Sequence, residues 1–320
     1  MKKRTLVINL DLDETQINTI KEIIPEWRVV ADKHPENVLE QLSEAEVILH
    51  WKKAIAPTIL EQNTNLQWVQ TWSAGVNSLP LATLKERNIV VTSANGVHAY
   101  PISETIFALM LGLTRKIHTY VRQQQAKLWH HAHLNQEIHG KTIGIIGVGA
   151  IGLETAKIAK AFGMRVLGVR HSGKPTDDVE QMYRADQLAE VLPQCDFVVI
   201  TLPLTEETKQ MFAAQQFQQM KETAILINIG RGPIINEKDL VHALQQKQIA
   251  GAGLDVFTTE PLPSESPLWD MENVIITPHT AGSTEHYAKR VIDDIFLPNL
   301  QRYAKGELPN MNVVNLEKGY

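Results

Sequence analysis

The hexapeptide Gly147-Val148-Gly149-Ala150-Ile151-Gly152 follows the apolar run Ile143-Gly144-Ile145-Ile146 and opens a stretch of helical composition. Strand before and helix after is the setting in which glycines at this spacing carry chemistry. Gly147 permits a tight turn, Gly149 lets a pyrophosphate approach the main chain, and Gly152 lets helix and strand pack closely. The free N–H groups at the helix start, with their partial positive charge, suit phosphate. The alternative is a glycine-rich turn without a ligand; the flanking elements favour a dinucleotide.

In such a site an acidic residue ~20 positions further on holds an unphosphorylated ribose. Here the strand candidate Arg165–Val169 ends at Arg170, and no carboxylate follows before Asp177. An arginine leaves a ribose 2′-hydroxyl without its acceptor and pairs instead with a 2′-phosphate, with His171, Ser172 or Lys174 as further donors. The reading is NADP preferred and NAD possible; a solvated arginine beside an NAD site is the competing account.

Three more polar side chains follow apolar strand candidates. Arg231 lies in Asn228-Ile229-Gly230-Arg231-Gly232, Glu260 follows Gly253-Leu254-Asp255-Val256-Phe257, and His279 lies in Thr277-Pro278-His279-Thr280-Ala281-Gly282. Ligands of open parallel sheets bind at the carboxyl ends of strands, so all three side chains can converge on one bound ring. Taken singly, each has a plainer account. A lone His after a strand is more often structural, Glu260 precedes a proline-rich loop and could be merely exposed, and Arg231 could serve cofactor phosphate alone.

With these motifs in order, and with Ser73-Ala74-Gly75-Val76 and Leu202-Pro203-Leu204-Thr205 in register around them, the chain resembles the D-2-hydroxyacid dehydrogenase family over nearly its whole length. The resemblance implies that Arg231, Glu260 and His279 carry catalysis. It implies cofactor contacts from Gly147, Gly149, Ala150, Ile151 and Gly152, and from Arg170, His171 and Ser172. Further cofactor contacts are implied at Leu202, Pro203, Ile229, Gly230, Arg231, Asp255, His279, Ala281 and Gly282. Asp255 is expected at the nicotinamide carboxamide, or else it orders its own loop. Substrate contacts are implied at Ser73, Ala74, Gly75, Val76, Arg231 and His279, in a homodimer of split two-domain subunits.

The residue chemistry agrees with that family. A 2-oxo acid needs its carboxylate held and its carbonyl polarised, and Arg231 does both bidentately. His279 donates the proton near neutral pH and takes it back in the oxidation direction. Glu260 on the other ring nitrogen would fix the tautomer and favour the imidazolium. The N–H groups around Ala74–Val76 would hold the substrate carboxylate. Formate dehydrogenases, similar in fold, carry Gln beside the histidine, so Glu260 argues for a proton-transferring enzyme. The expected activity is NADPH-dependent reduction of a small 2-oxo acid such as glyoxylate or hydroxypyruvate. One alternative is 3-phosphoglycerate dehydrogenase, whose members usually use NAD and often carry a regulatory domain for which the last 15 or so residues leave no room. The other is a non-enzymatic, dinucleotide-sensing corepressor-like protein.

The elements that must position these residues alternate. Strand candidates are Leu6–Leu10, Arg28–Ala31, Val47–Trp51, Trp68–Trp72 and Ile89–Thr92, then Thr142–Ile146, Arg165–Val169, Phe197–Leu202, Ala224–Ile229, Gly251–Val256 and Val274–Thr277, with helical stretches between them. That rhythm is α/β: two Rossmann-like, doubly wound parallel-sheet domains, the second with six strands. Ser103–Trp129 reads as one long helix capped by Ser103, and Thr284–Lys305 as another helical run. The expected division is a discontinuous substrate domain, 1–98 and 286–320, with a dinucleotide-binding domain, 99–285, inserted. Hinges are expected near Asn95–His98 and Ala281–Glu285.

Composition bounds the rest. The chain has 320 residues, about two domains' worth, with 43% hydrophobic and 21% charged residues, a globular balance. Its net charge of −5 does not argue for a nucleic-acid partner. No apolar run reaches the ~18 residues of a membrane span, and the basic start Met1-Lys2-Lys3-Arg4 meets Asp11-Leu12-Asp13-Glu14 too soon for a secretory leader. One cysteine, Cys195, excludes an intrachain disulfide and fits a reducing, cytoplasmic setting; it reads as a buried small residue. His130, His131, His133 and His139 are close in sequence but fit no regular metal spacing, so no metal is expected. Trp51, Trp72 and Trp129 are candidates for pocket walls or core, Lys52 and Lys53 for an anion or for solvent, and Ser103–His139 for a dimer surface.

Overall fold

The structure is a computed structural model that describes residues 3–52, 56–76, 79–132 and 136–317. Lys53, His133 and the last three residues of the tail therefore lie outside the described residues. The chain divides into two compact units, Met1–Val97 with Thr284–Tyr320, and His98–Ser283.

The first unit holds a five-stranded sheet: β1 (Thr5–Ile8), β2 (Arg28–Ala31), β3 (Val47–Leu49), β4 (Trp68–Gln70) and β5 (Val90–Thr92), in the order β2-β1-β3-β4-β5. Every pairing is parallel. A parallel sheet is covered on both faces, which is why its strands read as unbroken apolar runs. Alternate residues nonetheless go to different cores. Val7, Ile48, Val69 and Val91 face one cluster, and Leu6, Ile8, Val47, Leu49 and Trp68 face the other, as the period of two requires. The second cluster is completed by Ile292, Phe296, Leu300 and Tyr303 from the far end of the chain. Phe296 stacks on Trp68 at 5.2 Å between ring centroids. The Tyr303 hydroxyl donates to Glu46, which also pairs with Arg4. This is how the segment that returns at Thr284 completes the unit that the chain leaves at Val97.

The second unit holds seven strands: β6 (Thr142–Ile146), β7 (Arg165–Val169), β8 (Gln181–Tyr183), β9 (Phe197–Ile200), β10 (Ile225–Asn228), β11 (Gly251–Leu254) and β12 (Val274–Ile276). Their order is β12-β11-β10-β9-β6-β7-β8, all parallel. The direction of winding reverses between β6 and β9, and that switch point is where such sheets take ligands. The strand absent from the six-strand expectation is β8, an edge strand of three residues, Gln-Met-Tyr, too short and too polar at its start to register as an apolar run.

The expected long helix is two helices, Ala99–Thr114 and Ile117–Gln125. The first begins four residues before Ser103, because Pro101 sits in the first turn, where no N–H partner is required. Ser103 is consequently interior and buried, its hydroxyl 3.1 Å from that of Thr155. The break falls at Lys116, which takes a left-handed backbone with φ 55°. Glycine ordinarily occupies such a position, so the sequence carries no warning there. The first helix is apolar almost all round and buried in the second unit's core. In contrast, no residue of Ile117–Gln125 is buried.

Candidate active site

Because all strands of the second sheet run the same way, the segments after β6, β7, β9, β10, β11 and β12 emerge along one edge. Strand candidates that ran on to Leu202, Ile229, Val256 and Thr277 in fact stop one or two residues earlier. The surplus residues are the start of the loops that carry polar groups.

The glycine motif opens the helix Ala150–Ala161 directly after β6. Gly147 has φ 111°, a backbone that side chains rarely adopt, and a Cβ there would come within 2.9 Å of Leu202 N. A Cβ on Gly152 would lie 2.7 Å from Gly147 O. Gly149, by contrast, is exposed with open space where a Cβ would stand, so a ligand can approach its main chain. This cradle fits a dinucleotide pyrophosphate: close packing where the helix must meet the strand and an open face at its N-terminus.

After β7, the Arg170 N–H bonds Tyr183 O at 3.0 Å, which anchors the main chain while the guanidinium meets no carboxylate among the described residues. His171 and Ser172 are exposed beside it. The first acidic residues of the loop lie elsewhere: Lys160 bonds the Asp177 carbonyl at 3.0 Å and lies 3.4 Å from the Asp178 carboxylate. The end of β7 is thus donor-rich. Leu202 and Pro203 follow β9, where Thr208 Oγ1 bonds Pro203 O at 2.7 Å and fixes the turn.

Arg231, Glu260 and His279 come together on this edge. His279 Nδ1 lies 2.7 Å from Glu260 Oε2. The other carboxylate oxygen accepts the Phe257 N–H at 2.9 Å. Burial pushes the Glu260 carboxyl up, but the His279 hydrogen bond, the Phe257 N–H and the charges of His279 and Arg231 outweigh it, so the group sits below its ordinary value. An acceptor-only carboxylate on Nδ1 assigns the hydrogen to that nitrogen and leaves Nε2 for chemistry. Arg231 is exposed, with Nη1 on its own Gly230 O at 2.7 Å.

His279 stands in the left-handed region, φ 53°, a costly backbone for a side chain. Asp255 holds it there. The Asp255 carbonyl accepts the His279 N–H at 2.9 Å. Its carboxylate accepts the Thr277 hydroxyl at 2.6 Å and the N–H groups of Thr280 and Ala281 at 2.9 and 3.1 Å. Asp255 is buried, and these bonds spend both its oxygens on the 277–281 loop. Gly282 continues that loop, its carbonyl 2.9 Å from His98 Nδ1.

Other residues matter that the motifs alone did not single out. Buried Asn228 donates to Arg231 O at 3.3 Å and accepts the Gly230 N–H at 3.1 Å, shaping the turn on which Arg231 stands. Its signal was a polar side chain ending the apolar run Ile225–Ile227. Gly232 packs directly on the chain at Phe257, where a Cβ would stand 1.9 Å from a backbone carbon. This contact brings the Arg231 and Glu260 loops side by side.

In the first unit, Ser73, Ala74 and Gly75 are exposed after β4, and Val76 is buried. Trp51 is in the core, whereas Trp129 is wholly exposed. Lys52 donates to Lys33 O. Cys195 is buried, and burial pushes its thiol up to about 12. His139 Nδ1 lies 3.1 Å from Phe162 O.

A sequence model described as D-isomer specific 2-hydroxyacid dehydrogenase, NAD binding domain, matches residues 107–281. A glyoxylate reductase of Korarchaeum cryptofilum is 33% identical over 99% of this chain and 97% of its own. Among solved structures, a D-isomer specific 2-hydroxyacid dehydrogenase family protein from Aeromonas salmonicida has a TM-score of 0.81 and 34% identity, covering 98% of this chain and 100% of its own. An NADPH-dependent glyoxylate/hydroxypyruvate reductase from Sinorhizobium meliloti, in complex with NADP and sulfate, has a TM-score of 0.78 and 28% identity, covering 99% and 100%.

A carboxyl held below its ordinary value keeps its charge above the usual carboxylate range and loses it only as the pH falls through the lowered value. Glu260→Gln is expected to lower turnover on the order of 100-fold and to move the acidic limb of the pH–rate profile. A limb that stays where it was removes Glu260 from the proton transfer.

Proposed function

The chain belongs to the D-isomer specific 2-hydroxyacid dehydrogenase family, and on that premise we propose that it is an NADPH-dependent reductase of a small 2-oxo acid of the glyoxylate or hydroxypyruvate type. It is an oxidoreductase of CH–OH groups that works with a nicotinamide dinucleotide. The observation that carries the reading is the 2.7 Å His279–Glu260 pair, with Arg231 acting on the same carboxylate, on the sheet edge that bears the glycine motif.

When bound, a reduced nicotinamide supplies the hydride. The chain's residues do the rest. Gly147, Gly149, Ala150, Ile151 and Gly152 hold the pyrophosphate on N–H groups. Arg170, His171 and Ser172 hold the 2′-phosphate. Arg231 binds the 2-oxo acid and polarises its carbonyl, and the N–H groups of Ala74, Gly75 and Val76 take its carboxylate. His279 Nε2 delivers the proton to the carbonyl oxygen while Glu260 stabilises the imidazolium. Asp255 acts on the loop's geometry, the alternative to a carboxamide contact that its spent oxygens favour.

The preference for NADP rests on the donor-rich end of β7. Neighbours with NADP bound, such as the Sinorhizobium meliloti enzyme, are in keeping with it. A cytoplasmic setting fits a chain with one buried cysteine. Among the described residues no helix is long and apolar enough to cross a membrane.

A homodimer is the reading that best accounts for the helix Ile117–Gln125. Ile117, Val121 and Leu128 are exposed along it and just beyond, and Trp129 is 101% exposed. Leu128 and Trp129 line, with Tyr120 and others, a cavity of about 590 Å³. An exposed ring and a hollow on one patch are the features an isologous contact about a two-fold axis would use. The ring alone offers ~150–250 Å², a substantial part of the ~800 Å² that each partner gives to a standard interface.

A panel of 2-oxo acids with NADPH and with NADH, followed by absorbance, tests the activity. Turnover of glyoxylate or hydroxypyruvate with NADPH is expected; none with any oxo acid would favour the corepressor-like alternative. Arg170→Asp is expected to shift the kcat/KM ratio toward NADH by 10-fold or more, about 1.4 kcal/mol. A wild-type enzyme equally fast with both cofactors overturns the NADP assignment. In sedimentation, the wild-type chain is expected as a dimer and the Val121→Asp/Trp129→Ala variant as a monomer that still binds NADPH. A monomeric wild type sinks the interface.

A further inference from the structure

Three carbonyls of the loop after β4, those of Trp72, Ser73 and Gly75, are tied by hydrogen bonds. Trp72 O accepts the Tyr287 hydroxyl. Ser73 O accepts the Ala94 N–H at 3.1 Å and the Thr71 hydroxyl at 2.7 Å. Gly75 O accepts the Ser73 hydroxyl at 2.7 Å. Each peptide is planar and trans, so a carbonyl drawn one way turns the following N–H the other way. The N–H groups so aimed belong to Ser73, Ala74 and Val76. None of these, nor that of Gly75, meets an acceptor among the described residues. Unspent N–H groups on consecutive residues, exposed at Ser73, Ala74 and Gly75 and buried at Val76, have the make-up of an anion cradle.

The first tie in this row comes from the other end of the chain. Tyr287 lies 215 residues from Trp72 in sequence. Its ring meets the Trp72 ring edge-on, with centroids 5.5 Å apart and planes at 76°. Both pack on a small cluster of Ala94, Val97, Val291 and Ile295. The last two sit on the π-helical turn Arg290–Phe296 that follows Tyr287–Lys289. We propose that Tyr287 is a positioning residue for substrate: its hydroxyl fixes the Trp72 carbonyl and thereby aims the N–H row of Ser73–Val76 at the substrate carboxylate. The proposal rests on the reading of that loop as the carboxylate site. Burial pushes the Tyr287 hydroxyl up to about 12, so it remains a donor throughout the working pH range.

Tyr287→Phe keeps the ring and its edge-on contact with Trp72 and removes the hydroxyl that ties the Trp72 carbonyl. In the full-length protein, oxalate binding is measured by calorimetry with NADP present, alongside KM and kcat for glyoxylate and KM for NADPH. The loss of one neutral hydrogen bond is expected to weaken oxalate binding and to raise the glyoxylate KM together, by about 5- to 10-fold. The kcat, the NADPH KM and the Tm are expected to stay near wild type. Oxalate binding unchanged, or a fall in NADPH affinity and Tm of the same size, overturns the positioning role and leaves the reductase reading intact. A wild-type protein that neither binds oxalate nor reduces glyoxylate overturns both.

Discussion

One buried carboxylate holds the chemistry in place. Asp255 directly follows β11 and spends both its oxygens on the loop after β12, so that His279 is locked in a left-handed backbone with its ring on Glu260. Such a backbone costs on the order of 1–3 kcal/mol. Hydrogen bonds to a charged acceptor contribute ~1.5–3 kcal/mol each, and Asp255 makes three with its side chain. The balance favours the strained loop, and the imidazole is preorganised before any ligand arrives. Glu260 repeats the device, with one oxygen on the Phe257 N–H and the other on the ring.

These carboxylates can do this because the sheet is parallel throughout. A parallel sheet sends every loop that follows a strand to one edge, and its strands pack on both faces. The cores on the two faces of the second sheet hold β10, β11 and β12 in register. Residues far apart in sequence, 228–231, 255–260 and 277–282, then stand next to one another without any cross-link. Gly232 fits because it brings no side chain to the contact with Phe257. The same logic recurs in the first unit, where the loop after β4 is tied by the returning C-terminal segment.

Much of this was legible from the sequence and some was not. The strand and helix alternation and the glycine motif are local patterns, and most strands end within a residue or two of the apolar runs that mark them. The exceptions have physical causes. Lys116 breaks a helix without glycine or proline, because the change from a buried to an exposed path is decided by packing rather than by propensity. Ser103 has the composition of a cap but lies inside the helix, bonded to Thr155 across a packing interface. The edge strand β8 is held by pairing with β7 and has little apolar pattern of its own.

The sequence by itself determined the alternation that makes parallel sheets, the turn that accepts a pyrophosphate, and the residue types available at strand ends. These follow from side-chain volume, backbone freedom and charge over a few neighbouring positions. Only the tertiary structure decided that Asp255 serves the His279 loop, that Phe257 shares the Glu260 carboxylate, and that Tyr287 reaches Trp72 across 215 residues. A hydrogen bond's partner depends on distance and direction in space, and no local property of a chain records which distant carbonyl will lie within reach.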